Sequence, residues 1–326
     1  MALADGLAAF WNLQEASGAR ADAVGAETLT DNNTVTQNPG PSAVIPASAQ
    51  FTRALSEYLS HVDDAILSSG DIDFTWAGWV YLDSKPAATQ LSLMMKWGVN
   101  GGGDDREYGI VWDSTGVYTA DGFAFIASAD GIGENWIVAS TFGAPTIGTW
   151  HFIVAYHDAA NNLIGISVDA GAFDTFAFAG GSRNGVADLM FGRNDKANGL
   201  YHDGRLAAWG YWKRLLTAAE ITWLYNGGKG RLYPFVHVAV PPFMASEEWL
   251  LNQICARVLG DAIATGGPSA DYSINRLRAG AYPALSQNTD HRFVYAELYR
   301  LITNETLSAW RFMTEQELLS HVLANV

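Results

Sequence analysis

Between Asp73 and Asp83 the chain reads Phe-Thr-Trp-Ala-Gly-Trp-Val-Tyr-Leu, and this run restricts the possible folds more than any other. Side chains of an extended strand alternate between its faces, so Phe74, Trp76, Val80 and Leu82 share one face while Trp79 and Tyr81 take the other. Both faces are apolar, whereas a strand with one face in water alternates apolar and polar residues. The run is therefore predicted to be a central strand covered on both sides, which demands a layered β architecture.

The neighbouring sequence continues that pattern. Trp150, Phe152, Val154 and Tyr156 share one face of a second apolar run, and Asn161-Asn162 supplies the turn into Leu163–Val168, which makes a hairpin. Glu107–Asp113, Gly122–Ser128, Trp136–Thr141, Phe173–Phe178 and Gly204–Trp212 are further predicted strands. Turn residues separate these runs roughly every 8–14 residues, as in a sandwich or jelly roll. One helix stands out: Thr217-Ala-Ala-Glu220 is a capping box, and Gly227-Gly228 ends it.

Composition changes near Phe235. Of 33 glycines, 29 precede it, as do 10 of 12 tryptophans. The segment Val236-His-Val-Ala-Val-Pro-Pro242 is extended and proline-closed, so it cannot continue a helix. Residues 1–235 are predicted to form the sandwich, 236–245 a linker and 246–326 a small helical domain. Its helices open at Ser246-Glu-Glu, near His291, and at the capping box Thr314-Glu-Gln-Glu317.

Charge and cysteine content narrow the function. With 19 Lys+Arg against 34 Asp+Glu the net charge is −15, and a free-standing nucleic-acid binder needs the opposite sign. Residues 1–235 carry 13 basic and 25 acidic side chains, so most of the negative field belongs to the sandwich. Cys255 stands alone, which excludes an intrachain disulfide and a multi-cysteine metal site. The N-terminal residues show neither a basic stretch nor a long apolar one, so no secretory signal is read there. No apolar run reaches the ~18 residues of a membrane span. The expectation is a product made in the cytoplasm.

The order of short motifs over residues 6–234 resembles the laminin-G-like family of the concanavalin A-like lectin/glucanase superfamily. Gly6-Leu-Ala-Ala-Phe-Trp-Asn-Leu13 with Asp22-Ala-Val-Gly25 is similar to the family's opening strand and turn. Phe51, Tyr58-Leu59 and Phe74–Val80 are similar to its core, and Gly148–Tyr156 with Ile166-Ser-Val-Asp169 to its hairpin, with Ala170 intervening before Gly171. Phe191-Gly192, Asp203-Gly-Arg-Leu206 and Trp212–Ile221 with Leu224-Tyr225 are similar to its closing signature. The resemblance implies two stacked antiparallel sheets of jelly-roll topology. It also implies one structural Ca²⁺, for which Asp22 and Asp203 hold the matching positions, with the Asp104-Asp105 loop as a second place; plain turn formation is the competing reading of each.

Hydrolysis by retention needs two carboxyl groups about 5 Å apart, carried on a strand as Glu-x-Asp-x-Glu or similar. No such strand occurs, so no catalytic residue is assigned. His151 and His157 are read as edge or core residues, and Asp104-Asp105-Arg106-Glu107 as a solvated loop. Carbohydrate recognition needs aromatic platforms beside polar groups, and Tyr108, Trp112, Asn135 and Trp136 stand where strands meet loops, with burial in the core as their alternative. The functional expectation is a non-catalytic lectin-like adhesion or decoration module on a bacteriophage virion or other surface assembly, binding glycan or protein. Residues 246–326 would anchor it to copies of itself or other assembly subunits through Trp249, Phe293, Tyr295, Leu298, Trp310 and Phe312. A purely structural assembly protein and a divergent polysaccharide-active enzyme are the alternatives.

Overall fold

The computed structural model describes residues 3–100, 103–194 and 199–235. The chain divides into two units, Met1–Val236 and His237–Val326, and the described residues belong to the first. The helices expected beyond residue 245, with their assembly candidates Trp249, Phe293, Tyr295, Leu298, Trp310 and Phe312, lie outside the described residues.

Among the described residues seventeen strands and one α-helix follow each other along the chain. The first seven strands are β1 (Leu7–Trp11), β2 (Thr30–Asn32), β3 (Thr36–Pro39), β4 (Ala47–Phe51), β5 (Tyr58–His61), β6 (Phe74–Leu82) and β7 (Gln90–Lys96). After the short pair β8 (Val99–Asn100) and β9 (Gly103–Asp104) come β10 (Tyr108–Asp113), β11 (Gly122–Ala127), β12 (Asn135–Val138), β13 (Trp150–Asp158) and β14 (Leu163–Val168). The last are β15 (Asp174–Ala177), β16 (Leu189–Phe191), β17 (Gly204–Trp212) and α1 (Ala218–Tyr225).

Apart from β8 and β9, which pair only with each other among the described residues, these strands form two antiparallel sheets. One runs β15-β14-β13-β6-β17-β4-β3, with β1 also paired to β17; the other runs β12-β11-β10-β7-β16-β5-β2. The sandwich expected from the alternation is thus present, and β6 is central, with Trp79 opposite Phe152 on β13 and Ala207 on β17. Between the sheets lie Trp11, Phe74, Trp76, Val80, Leu82, Tyr108, Ile110, Trp112, Phe125 and Trp209, all buried.

The second apolar face of β6 has a specific cover. Trp79, Phe152, Val154 and Trp212 pack beneath Leu216, Ile221 and Leu224 of the α1 segment and Phe235. Burying a side chain such as Leu224 contributes roughly 1.5–3 kcal/mol. The helix starts where expected: the Thr217 hydroxyl accepts the Glu220 N–H, and the Glu220 carboxylate accepts the Thr217 N–H. It stops at Asn226, whose backbone is left-handed at φ 51°.

Strands β2, β3, β7, β8 and β9 escaped the sequence analysis. The first two are short, polar and at a sheet margin, so their place comes from pairing to β5 and β4 and not from alternation. The run expected over Trp136–Thr141 ends as a strand at Val138, because Ser140 and Thr141 turn to hydrogen-bond Asp174.

Candidate functional site

The two sheets end side by side along one flank of the sandwich. Among the described residues β12 is an edge, paired only to β11, and β15 is an edge, paired only to β14. An edge strand has no neighbour to cover its outer side, so its side chains can stay in water. Trp136 on β12 is 40 % exposed and Phe176 on β15 is 45 % exposed, unusual for aromatic side chains of a protein that buries most of its tryptophans. Together with Glu134, Asn135, Ile137, Val138 and Ser140 they line a cleft of about 310 Å³.

Polar groups of fixed orientation stand beside Trp136. The Tyr118 ring lies 5.4 Å from it at an interplanar angle of 51°. The Tyr118 hydroxyl donates to Glu134 Oε2 at 2.7 Å, and Arg106 Nη1 donates to Glu134 Oε1 at 2.8 Å. Arg106 is itself held by the Ile132 carbonyl at 2.7 Å and rests 5.7 Å from the Trp97 ring. Burial, and then the hydrogen bond to Glu134, push the Tyr118 phenol above its ordinary value, so it stays a donor. On the other rim Asp174 accepts from the Ser140 hydroxyl at 2.7 Å and from the Thr141 N–H at 2.9 Å, which ties β12 to β15. Burial works to raise the Asp174 carboxyl, and these hydrogen bonds from Thr141 and Ser140 more than offset it, leaving it below the usual carboxylate range.

Of the four residues proposed from sequence as a binding platform, Asn135 and Trp136 line this cleft. Tyr108 and Trp112 do not and are corrected to core residues. Strand β10 is paired on both sides, and its even-numbered side chains point between the sheets. Tyr108 donates to the Leu67 carbonyl and Trp112 Nε1 donates to Asp121 at 2.8 Å. Sequence reasoning missed Tyr118, Glu134, Arg106 and Phe176. Only Phe176 carried a usable signal, as the aromatic residue within the strand expected over Phe173–Phe178.

The aspartates proposed for calcium have other partners. Asp22 accepts four backbone N–H groups, from Phe10, Val24, Gly25 and Glu27, at 2.9–3.3 Å, which is the turn-forming role. Asp203 accepts the Arg53 N–H at 3.2 Å and the Ser84 hydroxyl. Asp105 accepts Arg183 Nε at 3.0 Å and the Val186 N–H at 2.7 Å. The Asp104 side chain lies outside the described residues. Asp22 thus takes the turn-forming role, and Asp203 and Asp105 tie loops together by the same kind of contact. Among the described residues no group of three or more His, Cys, Asp or Glu side chains is placed to hold a metal ion.

The loop expected to be solvated at Asp104–Glu107 is corrected at two residues: Asp105 is buried, and Glu107 is fully buried and pairs with Lys96, itself fully buried. His151 and His157 are buried, the first 3.0 Å from Asp169 and the second 2.8 Å from the Ile72 carbonyl. No helix among the described residues is long and apolar enough to cross a membrane.

A sequence profile described as the concanavalin A-like lectin/glucanases superfamily, laminin G type, matches residues 55–222. No curated protein matches the chain in sequence. Among solved structures, the binding domain of Paraclostridial Mosquitocidal Protein 1 superposes with a TM-score of 0.54 at 12 % identity, over 69 % of this chain and 53 % of that one. Trypanosoma rangeli sialidase gives a TM-score of 0.48 at 14 % identity over 69 % and 34 % of the two chains. The binding domain of Botulinum neurotoxin DC, solved with rat synaptotagmin II, gives 0.47 at 10 % identity over 70 % and 52 %. The chain therefore spans about half the length of the two toxin domains and a third of the sialidase. At these identities the likeness is one of fold.

Proposed function

The chain belongs to the concanavalin A-like lectin/glucanases superfamily, and from that premise we propose that its sandwich is a non-catalytic lectin-like module that binds a neutral glycan along the β12–β15 flank. The observation that carries this reading is the half-exposed Trp136, flanked by Tyr118 and by the Glu134–Arg106 pair. A pyranose ring presents C–H groups to an aromatic face and hydroxyls at its rim. Trp136 supplies the face; Glu134 accepts a hydroxyl proton and Arg106 donates to a neighbouring oxygen. Because the ion pair and the Tyr118 hydrogen bond already hold these groups in place, little ordering is left for binding to cost.

The excess of acidic side chains over residues 1–235 disfavours anionic glycans at low salt, and this directs the reading to uncharged ones. Display on a virion or another surface assembly, with residues 246–326 as the anchor, is the wider role we propose. It is supported by the sequence pattern alone, and light scattering on the full chain tests it: a monomer at all concentrations leaves the anchor without a purpose.

The binding reading is tested by titrating the full chain against neutral oligosaccharides picked from a glycan array, beside Trp136→Ala and Phe176→Ala. Removing one exposed stacking ring is expected to weaken binding at least about tenfold while thermal unfolding stays put. Equal affinity for the wild type and Trp136→Ala would show that the ligand sits elsewhere.

A further inference from the structure

Where β7 ends and β10 begins, three titratable side chains converge, two of them fully buried. Lys96, the last residue of β7, is fully buried, and its Nζ lies 2.7 Å from Asp63 Oδ1 in the loop after β5. The same Nζ is in hydrogen-bond contact with Glu107 Oε1, and the Glu107 side chain is also fully buried. Glu107 Oε1 further accepts the Gly185 N–H at 3.0 Å, while its Oε2 has no hydrogen-bond partner among the described residues. Asp63 keeps 29 % of its side chain exposed and accepts weakly from Ser68 at 3.5 Å. The phenols of Tyr108 on β10 and Tyr211 on β17 lie within electrostatic reach of Glu107, and Asp105 stands against Gly185.

We propose that Lys96 and Asp63 are joined by an amide bond that the folded chain forms by itself, with Glu107 carrying the proton. An ammonium and a carboxylate do not condense in water, because both are stabilised by hydration in their unreactive ionic forms. The buried Lys96 Nζ is shielded from water and held 2.7 Å from Asp63 Oδ1, placed to pass a proton across that contact; the free amine and carboxylic acid so formed are the nucleophile and the electrophile of amide formation.

The steps balance without an oxidant or a co-reactant. The Lys96 ammonium gives one proton to the Asp63 carboxylate; the amine lone pair then attacks Asp63 Cγ and a C–N bond forms. Glu107 takes a proton from that nitrogen and delivers it to the departing hydroxyl, so that the C–O bond breaks, one water leaves, and Glu107 returns to its starting state. Holding the reacting groups in hydrogen-bond contact replaces a bimolecular encounter, worth effective concentrations of about 10⁵–10⁸ M. Burial also pushes the Glu107 carboxyl up to about 7, against the pull of Lys96, which places it where a group can both give and take a proton near neutrality. The product would tie β7 to the β5–β6 loop, 33 residues apart in sequence.

Intact-mass spectrometry of the denatured full chain decides the question. The expected mass is one water, about 18 Da, below that of the sequence. Trypsin should fail to cut after Lys96, and chymotryptic peptides carrying Asp63 and Lys96 should stay joined. Glu107→Gln is expected at its full mass, with the Lys96 site open to trypsin. A wild-type chain at its full sequence mass overturns the proposal whether or not any variant folds. A water loss that maps to another pair, or that persists in Glu107→Gln, overturns the assignment of Asp63 or of Glu107 respectively.

Discussion

The indole of Trp209 fills the space that Gly78 leaves by lacking a side chain: a β-carbon on Gly78 would stand 2.2 Å from the ring. Trp209 Nε1 also donates to the Trp79 carbonyl at 3.1 Å, so the ring is pinned to the strand it crosses. This contact joins β17 to β6 at the centre of the sheet.

Gly78→Ala is accordingly expected to lower stability by about 1–3 kcal/mol, the usual cost of overpacking a close-packed interior. Gly133→Ala, which would meet only an ordinary contact at 3.5 Å from Asp130, should stay within about 0.5 kcal/mol of the wild type. Urea unfolding of the two variants checks the difference. Equal midpoints would mean that Trp209 can move aside freely.

Acid should expose the link between β17 and α1. The Arg214 guanidinium donates two hydrogen bonds to Glu220, at 2.6 and 2.9 Å, and holds its carboxyl down to about 2, from an ordinary 4.5. A carboxyl depressed on folding contributes stability that is full above about pH 4.5 and lost as the pH falls through the folded value. Glu220→Gln should therefore flatten the stability profile between about pH 4.5 and 2. Thr217→Ala should cost about 1 kcal/mol at neutral pH through loss of the cap. Unfolding free energies measured at pH 7, 4 and 3 test both, and a Glu220→Gln profile parallel to the wild type contradicts the first.

His202 is buried beside Phe51, at 5.8 Å between ring centres, and burial lowers its pKa from 6.5 to about 4. The unfolded chain binds this proton more readily, so stability is highest above about pH 6.5 and falls as the pH drops toward 4. Replacing His202 by Leu removes that proton and should flatten the slope over this window, whatever it does to stability at pH 7. Thermal midpoints taken at half-unit pH steps would show it. A slope unchanged in the variant assigns the dependence to another group.

Several features of the fold could be read directly from residues. The run Phe74–Leu82 declared itself a doubly covered strand because tryptophans lie on both its faces, and Thr217 with Glu220 declared a helix start because each satisfies the other's amide. The site was legible only by half. Trp112 and Trp136 look alike in sequence, each in a strand beside a loop, yet one is core and the other half-exposed. The difference is that β10 is flanked by two strands and β12 by one. Lys96 closes an apolar run that was not read as a strand, and its burial depends on Glu107, Asp63 and Gly185, all distant in sequence.

The chain's own sequence determines local matters: which residues share a face, where turns interrupt, where a helix is capped, and hence that two antiparallel sheets must stack. These follow from the period-two geometry of a strand and the fixed needs of backbone N–H groups, which act over a few residues. Only the tertiary structure decides what covers each face, because cover comes from strands and loops far along the chain. That is why the outer face of β6 had to wait for α1, why Phe176 and Trp136 become neighbours at one flank, and why a lysine can sit among two carboxylates inside the sandwich.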